Sequence, residues 1–137
     1  RFFMKYLLDT HIIFWALGNE KKLDNEVLKA INDPANEIFF SSASVWEVVI
    51  KHSKNPAYMP ISGEEFFEGC LNAGFTPLAI DNQHVLTVAG LHRENGEPAH
   101  NDPFDRLLIA QAKAEGMILI THDSLLAGYG EKCVKVI

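Results

Sequence analysis

Cysteine is scarce: Cys70 and Cys133 are the only two in 137 residues, and they form no CxxC pair. Without paired spacing there is no metal knuckle to build, and two reduced thiols in a cytosolic fold are expected. Long apolar runs are missing as well. None reaches the roughly 20 residues needed to cross a bilayer, and no positively charged start leads into a cleavable apolar core. A cytoplasmic protein with no secretory signal is therefore expected. Positive charge is in short supply, with 12 Lys and Arg against 18 Asp and Glu and a net charge of −6. This argues against a broad basic nucleic-acid surface. It does not exclude a nuclease, because divalent cations held by a carboxylate cluster invert the local sign. Catalytic signatures are absent too. The six histidines show neither HExxH nor Cys/His zinc spacing. There is no G-x-S-x-G for a Ser-His-Asp hydrolase, and no P-loop or G-x-G-x-x-G for a nucleotide cofactor.

What is present is a core. Hydrophobic residues make up 47% of the chain, and the length suits one compact domain, here placed over residues 4–137. Arg1, Phe2 and Phe3 precede a plausible start at Met4 and are expected to be cloning or upstream residues. Strand-length apolar runs occur at Lys5–Leu8, Glu37–Phe40, Phe75–Ile80, Met117–Ile120 and Lys132–Val136. Helical spacing appears between them, at His11–Leu17, Asn25–Ile31, Val45–Lys51, Glu64–Ala73, Gln83–His92 and Pro103–Ala114, the last ending at Gly116. Strands alternating with helices predict an α/β layer fold with a mainly parallel sheet. The unalternated runs fit strands covered on both faces. Two polar segments, Ser53–Ser62 and Arg93–Asp102, read as loops.

In such sheets ligands bind beyond the carboxyl ends of the strands, and acids gather there. Asp9 closes "KYLLD" and Asp123 closes "ILITHD". Each is also a ready N-cap for the helix that follows. Glu47 lies three residues after Ser44, in an S-x-x-E arrangement that predicts a capping box. Asp102 precedes Pro103 as a cap, with Pro at the first helical position, so Asp105 in the helix proper is the better candidate for chemistry. Asp81 is read as the cap of the next helix. Taken singly, each acid has an ordinary structural role. Taken together, Asp9, Glu47, Asp105 and Asp123 all fall at a strand's carboxyl end or in the first turn of a following helix, positions that converge in a doubly wound sheet. Ionising them side by side is costly, and a hard divalent cation removes that cost. The expected site is therefore oxygen-only and suited to Mg²⁺ or Mn²⁺. His11 and His122, each beside an acid, are expected on the rim.

At "LLDTH", "SSASVWE", "HNDPFDRLLIAQA" and "LITHD", in that order and spacing, the sequence resembles a PIN domain of the VapC-like toxin type, over Met4 to Ile137. The resemblance implies a three-layer α/β/α sandwich around a parallel sheet and Mg²⁺- or Mn²⁺-dependent RNA cleavage. It also implies a homodimer and a cognate antitoxin. By motif it assigns the acids to Asp9, Glu47, Asp105 and Asp123, with Thr121 beside the last. His11 stands where many relatives carry Asn, and Asp102 is an additional acid. The expected mechanism is hydrolysis by a metal-activated water, with Lys51, Lys54, Arg93 and Arg106 as candidates for phosphate contacts. Trp15, Trp46 and Phe14 are candidates for an apolar antitoxin cleft, with core packing expected for at least two of them. Three alternatives stand beside this reading: a PIN-type nuclease of RNA processing outside toxin systems, a phosphoacceptor signalling domain, and a metal-free binding module whose acids only cap helices.

Overall fold

The computed structural model describes residues 4–137, so the expectation about Arg1–Phe3 lies outside the described residues. Five strands form one sheet in the order β3-β2-β1-β4-β5, and every neighbouring pair is parallel. They are β1 (Lys5–Leu8), β2 (Glu37–Ser41), β3 (Thr76–Leu78), β4 (Ile118–Thr121) and β5 (Val134–Val136). The helices are α1 (Thr10–Gly18), α2 (Asn25–Asn32), α3 (Ser42–Lys54), α4 (Gly63–Asn72), α5 (Asn82–Val88) and α6 (Pro103–Glu115). Two 3-10 segments, Glu20–Lys22 and Ser124–Tyr129, complete the elements among the described residues.

The sheet is covered on both faces, which is why its strands read as unbroken apolar runs. Successive side chains of a strand point to opposite faces, and two cores follow from that. Leu7, Phe39 and Leu119 point into a core with Leu108, Ile109 and Ala112 of α6 and Leu126 and Tyr129 beyond β4. Leu8, Ile38, Phe40 and Ile120 point the other way, against Ile12 and Ile13 of α1, Val27 of α2, Val48 of α3 and Phe66 and Cys70 of α4. The fold is thus the α/β/α sandwich expected.

The chain order builds β1, β2 and β3 outward in one direction, then returns to lay β4 on the far side of β1. The strand order therefore reverses between β1 and β4, and a crevice opens at such a switch point beyond the strand carboxyl ends. The two strands are in register from Tyr6 with Ile118 to Leu8 with Ile120. The Asp9 amide then donates to the Ile120 carbonyl at 3.0 Å. Asp9 and Thr121 are thereby fixed side by side at the mouth of the crevice.

Two local readings need correction. Helix α3 starts at Ser42, not after Ser44. Its N-cap is Ser41, whose hydroxyl accepts from the Ala43 amide at 2.9 Å. Ser44 and Glu47 therefore form no capping box, and Glu47 lies in the second turn with its carboxylate free for other partners. Helix α3 also runs on to Lys54, into the segment read as a loop from Ser53. By contrast, Asp81 caps α5 and Asp102 caps α6 as expected, the latter accepting from the Phe104 and Asp105 amides.

Candidate active site

A cleft of about 500 Å³ opens at the β1/β4 switch point. Its acids are Asp9, Glu47, Asp102, Asp105 and Asp123, and Lys51, His11, Trp15 and His122 stand around them. The five acids arrive by four routes. Asp9 comes from the end of β1 and Asp123 from just after β4. Glu47 comes from the second turn of α3, and Asp102 and Asp105 from the start of α6. The four acids expected together are together.

Asp9 is buried, and both of its oxygens are occupied. Oδ1 accepts from the Ile12 amide at 3.1 Å, and Oδ2 accepts a short hydrogen bond from the Thr121 hydroxyl. Burial raises its pKa above the ordinary value and outweighs the lowering by those bonds, with Glu47 adding a smaller upward push. Thr121 does double duty, since its oxygen accepts from the Asp123 amide at 3.1 Å. One hydroxyl therefore ties the two strand-end acids into one frame.

Glu47 is held at both oxygens. The Thr10 hydroxyl donates to Oε1 at 2.7 Å and lies 2.9 Å from the buried Ser44 hydroxyl. Lys51, one turn on, donates to Oε2 at 2.7 Å. Burial works against the Lys51 ammonium, but the bond to Glu47 and the charges of Glu47, Tyr58 and Asp102 prevail and raise its pKa. Lys51 is thus the cationic side chain of the cleft lining, set against its acid wall.

Asp105 carries the clearest electrostatic mark. Burial first, then the charges of Asp102, Asp123, Asp9 and Glu47, push its carboxyl up to about 7. An ordinary helix-capping acid is stabilised in its charged form. A carboxyl raised by burial and by four like neighbours is instead the kind of perturbed group that gathers at functional sites.

One residue of the site was not read from the sequence. His100, buried at the end of the Arg93–Asp102 segment, has Nε2 at 3.2 Å from Asp105 Oδ2 and Nδ1 at 2.7 Å from the Tyr129 hydroxyl. The nearest donor atoms of His100, Asp105 and Asp123 all lie within 4.8 Å of one another. A histidine nitrogen thus stands beside the expected oxygen donors at Asp105. The only sequence signal was a histidine two residues before the α6 cap, which by itself indicates nothing.

Other expectations divide. His11 and His122 are exposed rim residues, and Trp15 packs edge-on against His122 at 4.9 Å. Arg106 adjoins the site in sequence but does not line the cleft. Its guanidinium donates to the Tyr129 hydroxyl and the Val88 carbonyl. Arg93 is likewise committed, to the Pro98 and Leu125 carbonyls and the Tyr129 ring face. Neither is presented to a phosphate. Lys54 is exposed at the end of α3. Phe14 and Trp15 pack on the α1–α4 core, whereas Trp46 is 57% exposed and leans on Phe104.

These features define a class. The PIN domain family matches residues 6–132, and the chain belongs to it. PIN domains are generally nucleases, which supports a hydrolase acting on nucleic acid. Among solved structures, the chain is similar to VapBC2 from Rickettsia felis bound to a DNA fragment from their promoter, at 20% identity and a TM-score of 0.67, covering 98% of each chain. It is also similar to VapBC-1 from nontypeable Haemophilus influenzae, at 22% identity and a TM-score of 0.59, covering 88% of this chain and 87% of that one. A domain of a functionally unknown protein from Methanocaldococcus jannaschii aligns at 16% identity and a TM-score of 0.55, covering 98% and 91%. No curated protein matches. Among the described residues, no helix is long and apolar enough to cross a membrane.

Proposed function

We propose that the protein is a divalent-metal-dependent endoribonuclease acting in the cytoplasm, and the toxin of a toxin–antitoxin pair. The observation that carries this reading is the convergence of Asp9, Glu47, Asp105 and Asp123 in one cleft, with the Asp105 carboxyl driven up to about 7 by burial and its acid neighbours. Those residues fit Mg²⁺ or Mn²⁺, because a crowded set of carboxylates is what a hard cation stabilises. Asp9, Asp105 and Asp123 would hold the ion, with Glu47 as a ligand or as acceptor for a coordinated water. The chemistry supplied by a bound divalent ion is acidification of water to neutral pKa and neutralisation of charge at the scissile phosphate.

The chain's own contribution is preorganisation. Thr121 and the Ile12 amide lock the Asp9 carboxylate, so its orientation is set before substrate arrives. Thr10 and Lys51 fix Glu47. Once cations neutralise the acids, Lys51 is placed to meet a backbone phosphate. The toxin assignment, with a cognate antitoxin and a homodimer, is supported by the likeness to VapBC proteins and by the four motifs. A PIN nuclease of RNA processing is the alternative within the same chemistry, and a small upstream gene for a DNA-binding antitoxin separates the two.

The test is RNA cleavage in Mg²⁺ or Mn²⁺ by the wild-type protein and by Asp9→Asn, with sequencing of RNA ends after controlled expression. Cleavage that stops with chelator and falls by about 10²-fold or more in the variant supports the reading. Wild-type cleavage by Asp9→Asn removes it.

A further inference from the structure

Around Asp105 the cleft is backed by a unit that the carboxylate mechanism does not use: His100, Tyr129 and Arg106. We propose that His100 is a nitrogen ligand to the metal held by Asp105 and Asp123, and that this mixed site takes Mn²⁺ or a later divalent transition metal in preference to Mg²⁺. The inference rests on the metal-site reading above and adds to it a donor of a different class.

Three observations carry it. First, spacing. Two neighbouring ligands at about 2.1 Å from an octahedral ion stand about 3.0 Å apart, and His100 Nε2 lies 3.2 Å from Asp105 Oδ2. The Asp123 donor falls within the same 4.8 Å group, so a small closure brings all three onto one ion.

Second, hydrogen placement. The Tyr129 hydroxyl donates to the His100 carbonyl at 3.0 Å. Its oxygen is then free to accept from His100 Nδ1–H at 2.7 Å and from Arg106 at 3.2 Å. In that arrangement Nε2 carries its lone pair toward Asp105 Oδ2, the tautomer that a metal-ligating imidazole needs. Turned toward Nδ1, the same Tyr129 hydrogen supports the other tautomer, in which Nε2–H donates to Asp105. The hydroxyl can therefore partner either tautomer of His100.

Third, the support behind the ring. A ligating histidine needs its far nitrogen anchored to set its plane and tautomer. Here Tyr129 is that anchor, and its ring is fixed by Arg93 at 4.7 Å and Arg106 at 5.6 Å. Imidazole nitrogen raises affinity for transition ions relative to Mg²⁺, which prefers oxygen and water.

Pulsed electron paramagnetic resonance on the Mn²⁺-loaded full chain, with ¹⁵N-labelled histidine, reads the ligand directly. The expected result is a directly bonded histidine nitrogen in the wild-type protein and in the double variant His11→Asn, His122→Asn, which alters the rim histidines of the cleft. The nitrogen signal is lost in His100→Asn, which still binds Mn²⁺ through its carboxylates but about 10-fold more weakly or worse. Calorimetry should show the Mn²⁺-over-Mg²⁺ preference shrinking by the same factor. Mn²⁺ bound to wild-type protein with no histidine coupling overturns the His100 ligand and leaves the carboxylate site standing. So does a signal that survives in His100→Asn. Failure of wild-type protein to bind Mn²⁺ at all overturns both readings. If His100→Asn does not fold, the wild-type and double-variant spectra still decide.

Discussion

At the scale of single residues, the site depends on how each acid is held. Asp9 is buried with both oxygens occupied by donors from its own fold, so Thr121 is predicted to matter nearly as much as the acids. Thr121→Val keeps the volume and removes the hydroxyl that orients Asp9 and accepts from the Asp123 amide. Metal affinity, measured by Mn²⁺ calorimetry, should fall about 10–100-fold, as for other orienting partners of metal ligands. Unchanged affinity would show that Asp9 is positioned by the backbone alone.

Asp105 makes a prediction of the opposite sign for stability and activity. Its carboxyl rises from 3.8 to about 7 on folding. Between those values the native state keeps a proton that the unfolded chain has released. The unfolded state then binds fewer protons, so stability of the metal-free protein falls as pH rises through this window. The ceiling on that loss is about 4 kcal/mol, at ~1.4 kcal/mol per pH unit. Solvent screening reduces it, because the Asp105 side chain is 24% exposed. Asp105→Asn removes the penalty. At pH 8 and without metal, the variant should melt higher than wild type, by roughly 3 °C for each kcal/mol recovered, while losing RNA cleavage. A variant that melts lower would mean that Asp105 is there to hold the fold.

At the scale of elements, the segment from Arg93 to Asp102 connects packing to chemistry. Arg93 pins it to the 3-10 segment Ser124–Tyr129 through the Leu125 carbonyl and packs over the Tyr129 ring. Gly128 is what allows that approach, since a Cβ there would meet three guanidinium atoms at 2.4 to 2.7 Å. The guanidinium is bonded at two carbonyls and cannot simply step aside. Gly128→Ala should cost about 1–3 kcal/mol, as overpacking does. Hydrogen exchange should rise through residues 93–102, reaching His100, while β1 and β2 keep their protection. Uniform protection across the chain would separate this segment from the site.

Elements were also where sequence reading was strongest and where it slipped. Strand β1 was legible to the residue, because an unalternated apolar run closed by Asp has few other readings. Helix α3 began three residues earlier than its S-x-x-E signal suggested. "SSAS" offers several hydroxyls able to cap, and only the sheet decides which leaves the strand. Ser41 wins because it ends β2, and its hydroxyl also reaches the buried Gln111 side chain at 2.5 Å. The slip displaced Glu47 by a turn and hid its real partners, Thr10 and Lys51. Those contacts cross 37 residues and four, respectively, and only the turn-long one lies within reach of local pattern.

At the scale of the whole molecule, convergence itself was legible and its electrostatic detail was not. Parallel strands followed by helices send their carboxyl ends to one rim, so Asp9 and Asp123 could be placed together from order alone. The reversal between β1 and β4 that makes them neighbours belongs to the chain's path. His100 was invisible for a related reason: it meets Asp105 directly, but the Tyr129 hydroxyl that orients its ring lies 29 residues away in the chain. A net charge of −6 coexists with nucleic-acid chemistry if bound cations provide the attraction that the surface does not. RNA binding should then depend on divalent ions more steeply than on monovalent salt. A binding titration with and without Mn²⁺ at constant ionic strength checks this, and equal affinity in both would contradict it.

The most direct measurement is cleavage of a single-stranded RNA by the purified chain across a Mn²⁺ titration, run beside Asp9→Asn and an excess of chelator. Activity that rises with the ion, vanishes with the chelator and drops by about 10²-fold or more in the variant is the predicted result. Cleavage that persists without metal, or that the variant retains in full, would contradict the account.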